Sequence, residues 1–82
     1  METTRIVVVL TTAPSHEVAG TLVTTLVEES LIACGTILPG ATSIYRWEGA
    51  VEITSECQLL LKTSADRVTE LQRRFTEREM DA

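Results

Sequence analysis

From Val51 to Thr63 the chain alternates between two chemistries almost without error. Val51, Ile53, Cys57, Leu59 and Leu61 fall on one side, and Glu52, Thr54, Glu56 and Gln58 fall on the other. Period-two patterning of this kind marks a strand that buries one face and wets the other. In extended form such a run covers about 43 Å at about 3.3 Å per residue. A second strand-like run, Thr36–Glu48, precedes it, and Gly49 supplies the turn between them. The two runs make a hairpin, and a compact domain of this size has a diameter of only about 26 Å. The hairpin therefore outgrows the body that carries it. Its far end holds Ile44, Tyr45, Trp47, Val51 and Ile53, and water is a poor neighbour for that set. Further copies of the same chain are the simplest cover, so these five residues are the expected oligomer interface. Tyr45 and Trp47 share one side of the first arm, with Arg46 and Glu48 as a polar rim.

The bulk numbers bound the rest. The 82 residues make one domain, 1–82, and a chain this short buries only about 60–65% of its unfolded surface, so it gains from partners. Seven cationic side chains face twelve acidic ones, for a net charge of −5. That balance neither neutralises a phosphate backbone nor binds an anionic bilayer, which excludes nucleic acid and membrane as partners. The apolar run Ile6–Leu10 is too short to span a membrane and lacks the layout of a secretory signal. A cytoplasmic location is the expectation. Cys34 and Cys57 form no Cys-x-x-Cys pair and no disulfide framework, so free thiols are expected.

Ile6–Leu10 is a continuous β-branched run, the pattern of a central strand buried on both faces. Ser15 is positioned to cap a helix, and Glu17 lies near its positive end. Val18, Leu22, Val23, Leu26 and Val27 then form an apolar stripe at helical spacing, and Gly35 is read as the residue that closes this helix. Pro39-Gly40 interrupts the first hairpin arm and predicts a bulge. Thr63 and Asp66 are spaced as a capping box for a second helix. In that helix Val68, Leu71 and Phe75 form the apolar edge, with Arg67, Glu70, Arg73, Arg74 and Glu77 outside. The order is strand, helix, strand, strand, helix. A ferredoxin-like α+β fold would need one further strand, and Glu77–Ala82 has no strand character.

Four segments carry a family resemblance. They are Val-Val-Val-Leu-Thr-Thr-Ala-Pro (7–14), Leu-Val-Glu-Glu-Ser-Leu-Ile-Ala-Cys (26–34), Ile-Leu-Pro-Gly-Ala-Thr-Ser-Ile-Tyr-Arg-Trp-Glu-Gly (37–49) and Leu-Leu-Leu-Lys-Thr (59–63). Together they resemble the CutA family of divalent-cation tolerance proteins over roughly residues 5–78. The resemblance implies a ferredoxin-like, PII-like subunit with a long central hairpin, β-α-β-β-α in this chain with the final strand missing, assembled as a homotrimer. It implies a non-enzymatic role in divalent-metal tolerance or response to metal ions, with copper the ion most often associated. Two departures bear on that role. The His-Pro-Tyr-type segment that follows the second helix in the family has no counterpart here. Thr11 stands where some members carry a cysteine, and a hydroxyl is a poor ligand for a soft ion.

The residues themselves offer little else for chemistry. Cys34 matches the family cysteine and is the one candidate metal ligand, although a lone thiol is more often a small packing residue. Cys57 faces inward. His16, the only histidine, cannot close a tetrahedral site by itself. Thr11-Thr12, between a strand end and a helix start, is a weak candidate for anion contact. Ser15 beside His16 lacks the geometry and the orienting acid of a nucleophilic pair. Three functions compete on these residues: a metal-tolerance trimer, a PII-like trimer binding a small ligand between subunits, and a scaffold that docks a protein partner.

Overall fold

A computed structural model describes the backbone of residues 5–81 and the side chains of residues 5–75. Strand β1 (Ile6–Ala13) leads into helix α1 (His16–Glu28). Strands β2 (Cys34–Trp47) and β3 (Ala50–Ser64) follow, then a 3-10 turn at Ala65–Arg67 and helix α2 (Val68–Asp81). The three strands form one antiparallel sheet in the order β1-β3-β2. The outline is ferredoxin-like, with the split β-α-β arrangement placing β3 between β1 and β2. The side chain of Glu77, assigned above to the outer face of α2, lies outside the described residues, as do 1–4 and 82.

Among the described residues β1 is therefore an edge strand, not a central one. The amide of Ala65 donates to the carbonyl of Arg5 at 2.8 Å, which makes Arg5 and Ala65 a hydrogen-bonded pair. Alternation then turns the N–H and C=O groups of Val7, Val9, Thr11 and Ala13 toward β3. Those of Ile6, Val8, Leu10 and Thr12 point to the free edge. A continuous apolar run looks the same whether two faces are covered or one is left open. Here Ile6, Val8 and Leu10 are all at least half exposed.

The core lies between the other sheet face and the helices. Ala19, Leu22, Val23 and Leu26 of α1 pack on Cys57, Leu59 and Leu61 of β3, with Leu31, Ile32 and Leu71 closing the ends. Ser15 caps α1 as its sequence position predicts, its Oγ accepting from the Val18 amide at 3.1 Å. The end of α1 differs from the expectation. Ser30, with φ 60, is the left-handed residue; its amide bonds the Val27 carbonyl and that of Leu31 bonds Leu26, at 3.0 Å each. This is a Schellman end with serine in the place glycine usually takes. Gly35 already belongs to β2, and its role is steric. A Cβ built there would sit 2.6 Å from Cγ1 of Val23, so glycine lets α1 approach the sheet.

The second helix also starts differently. Thr63 forms no capping box with Asp66, because it is still in β3 and its Oγ1 donates to the buried carbonyl of Leu31 at 2.7 Å. Ser64 occupies the cap position without a side-chain bond. Two arginines, one in the 3-10 turn and one in α2, then tie this segment to the end of α1. Arg74 holds Glu29 through Nε at 2.9 Å and Nη2 at 2.8 Å, and Arg67 donates to the carbonyl of Ser30.

The hairpin is as long as the sequence requires. The molecule measures 51 × 23 × 23 Å, and its radius of gyration of 14.2 Å exceeds the roughly 12 Å of a compact domain this size. β1 stops at the pair Ala13–Cys57. From Ala41 to Glu56 the hairpin continues as a two-stranded ribbon, an arrangement with little stability of its own in water.

Candidate functional site: the exposed ribbon and the open sheet face

Two local features aim the ribbon's side chains. The first is the Pro39-Gly40 interruption. Leu38 pairs with Gln58 and Ala41 with Glu56, so two residues of β2 oppose only Cys57. Gly40 takes φ 76, which costs glycine nothing. This bulge reverses the parity of β2. Before it, Cys34, Thr36 and Leu38 lie on the helix-free face; after it, Ala41, Ser43, Tyr45 and Trp47 do, since cross-strand partners share a face. The second feature is the turn itself. Glu48 at φ 50 and Gly49 at φ 81 are both left-handed, the signature of a two-residue type I′ turn closed by the Trp47–Ala50 pair.

The five expected interface residues are brought to the ribbon but divided between its faces. Tyr45, opposite Glu52, and Trp47, opposite Ala50, lie on the helix-free side. Ile44 and Ile53 pair directly on the other side, with Val51 opposite Arg46. That second side is the continuation of the core face, but the helices cover it only from Cys57 onward. All five are exposed; Trp47 keeps 61% of its surface and Ile44 and Ile53 keep 67% each.

Ile6, Val8, Leu10 and Leu38 are the residues the sequence reading missed. With half-buried Leu60 they form an apolar patch on the helix-free face. The signal was the element order, since a split β-α-β unit that takes β3 between β1 and β2 leaves β1 outermost among the described strands. A polar band separates this patch from Tyr45 and Trp47. There the Glu56 carboxylate accepts from the Ser43 hydroxyl at 2.7 Å and the Thr54 hydroxyl at 3.5 Å.

The metal-ligand candidates are not brought together. Cys34 is exposed at the start of β2 on the helix-free face, opposite Lys62, rather than packed inside. Cys57 is buried on the other face, opposite Ala13. Both thiols are free. His16 is exposed at the first position of α1, and Thr11 lies half-buried opposite Leu59. Among the described residues no three His, Cys, Asp or Glu side chains are placed to hold an ion, so one chain's donor set does not fit a closed metal site. No described helix is long and apolar enough to cross a membrane. At the end of the molecule opposite the turn is an open groove of about 410 Å³. It lies between Ile6, the end of α1, the start of β2 and Arg67.

The sequence profile described as CutA1 divalent ion tolerance protein matches residues 7–80. The chain belongs to the CutA1 family. The divalent-cation tolerance protein CutA of Thermus thermophilus is 52% identical over 67 residues, covering 82% of this chain and 65% of that relative. The CutA of Citrobacter koseri is likewise 52% identical, over 71% of this chain and 50% of its own length. This CutA chain thus spans between half and two thirds of these curated relatives. The solved structure of the Thermus thermophilus protein superposes with a TM-score of 0.81 at 50% identity, over 85% of this chain and 68% of that one. The family named from the four sequence segments and the β-α-β-β-α fold are both upheld.

Proposed function

We propose that this CutA chain assembles as a homotrimer and acts in divalent-cation tolerance without catalysing a reaction. The observation that carries the trimer is the ribbon: it bears Trp47, Tyr45, Ile44, Val51 and Ile53 exposed, beyond the reach of its own helices. A two-stranded ribbon with that composition is sheltered when neighbouring copies bury it, and large aromatic rings are the side chains that anchor such contacts. Family membership supports the role in metal tolerance, with copper the first ion to test. The exposed thiol of Cys34 is the soft donor we assign to it. Because one chain supplies no closed site, the tolerance role need not pass through tight binding. The unpaired thiols support the cytoplasm as its compartment, which cell fractionation tests.

Solution mass across a dilution series tests the assembly, and a monomer at micromolar concentration refutes it. Calorimetric titration with Cu²⁺ of the parent and of Cys34→Ser tests the ion. Binding lost in the variant supports the thiol contact, and identical isotherms remove it.

A further inference from the structure

The groove at the base of the sheet joins an apolar wall to one fixed positive charge. Ile6, Val27, Ile32 and Ala33 supply the wall, and among the described residues Arg67 is the one charged side chain that lines it. Ile6 and Val27 keep 68% and 42% of their surface exposed, so hydrocarbon laid between them would displace water from both. Arg67 donates from Nη1 to the Ser30 carbonyl. That bond holds the guanidinium at the groove and leaves most of its five N–H donors for a ligand. Glu29, at the end of α1, does not compete for them, because Arg74 holds both of its carboxylate oxygens at 2.9 and 2.8 Å. Ser64 adds to the lining a hydroxyl that makes no cap hydrogen bond.

We infer that this groove binds a small amphipathic monocarboxylate, with its carboxylate on Arg67 and Ser64 and its hydrocarbon along Ile6, Val27, Ile32 and Ala33. Guanidinium and carboxylate are planar and match as two parallel hydrogen bonds, and the serine hydroxyl donates a third. A volume of about 410 Å³ is within the range of small-molecule sites, which set a few placed polar groups in a mostly apolar lining. Charge narrows the class. A polyphosphate would bring several negative charges to one guanidinium on a chain of net charge −5, and an amine would be repelled by Arg67. The site stands apart from the proposed trimer contact and ion donor, since neither the ribbon nor Cys34 lines it.

Octanoate is the probe, titrated at neutral pH into the isotope-labelled full chain and followed through its backbone amide shifts. The shifts are expected to centre on Ile6, Ile32, Ala33, Ser64 and Arg67 and to saturate with a Kd of about a millimolar. Octanol keeps the hydrocarbon without the charge and should bind at least about tenfold more weakly; octanoate should weaken as much in Arg67→Gln. That variant also loses the bond to the Ser30 carbonyl, so Ala33→Phe gives a second reading. Ala33 is exposed, and the larger ring should fill the groove and abolish the shifts while the denaturant midpoint stays near the parent's. No saturable shift in the parent overturns the site. Equal affinity for octanol, or an unchanged Kd in Arg67→Gln, overturns carboxylate recognition by Arg67. Shifts that persist in Ala33→Phe, or that centre on Trp47 in the parent, place the ligand elsewhere and overturn the groove.

Discussion

Trp47→Ala separates the stability of the subunit from the stability of the assembly. The indole keeps 61% of its surface exposed in the isolated chain. Of roughly 200 Å² for a tryptophan side chain, about 120 Å² therefore remains for a partner to bury. At about 25 cal/mol per Å² this area contributes about 3 kcal/mol per contact. A closed trimer has three such contacts, about 9 kcal/mol in all, and the concentration at half-dissociation varies as the square root of the trimer constant. The variant is thus expected to dissociate at about a thousandfold higher concentration than the parent, with each 1.4 kcal/mol counting tenfold. Chemical denaturation of the monomeric variant should give nearly the midpoint and slope of the dilute parent, because the ring makes few contacts within its own chain. Trp47 is the chain's single tryptophan, so in the parent its emission is expected to shift to longer wavelength as the protein is diluted through dissociation. If Trp47→Ala sediments as a trimer at the parent's concentrations, or the parent's emission is that of a solvated indole at every concentration, the ring is not buried by assembly and the reasoning fails.

Three further outcomes concern the subunit. Gly35→Ala drives a methyl into Val23, 2.6 Å from Cγ1, and is expected to cost about 1–3 kcal/mol, read as a lower denaturant midpoint with unchanged slope. Thr63→Val conserves volume but leaves the buried Leu31 carbonyl without its 2.7 Å donor; the expected loss is about 1–3 kcal/mol, whereas Thr63→Ser should retain most of the parent's stability. Ser15→Ala removes the acceptor for the Val18 amide and should cost about 1 kcal/mol in equilibrium unfolding, with Ser15→Asp restoring it.

Much of this molecule was legible along the chain. The alternation over Val51–Thr63 announced a strand too long for its domain, and the 51 Å body bears it out. Ser15 capped α1 where a short oxygen acceptor preceding an apolar stripe predicts it, and Pro39-Gly40 marked the bulge. These signals are local: each depends on the geometry of a few consecutive residues, which composition and spacing encode directly. The misreadings share the opposite character. Thr63 looks like a helix cap until the backbone group that needs its hydroxyl, the Leu31 carbonyl just beyond α1, is brought beside it from 32 residues away. Gly35 looks like a helix stop until Val23 stands over it.

The faces were the tertiary structure's decision. Alternation reveals that two sides of a strand differ, but not which elements lie against either side. Ile6, Val8 and Leu10 carry the composition of a buried strand and yet face water, because strand order leaves β1 at an edge. Tyr45 and Trp47 reach the helix-free face only because the bulge shifts the β2 register by one residue, and in a period-two structure that shift inverts every side chain beyond it. Sequence alone determined that the chain makes a long, partly greasy hairpin. Which of its surfaces remained for another molecule was decided by where the helices stopped, since burial is a relation between segments and no single segment contains it.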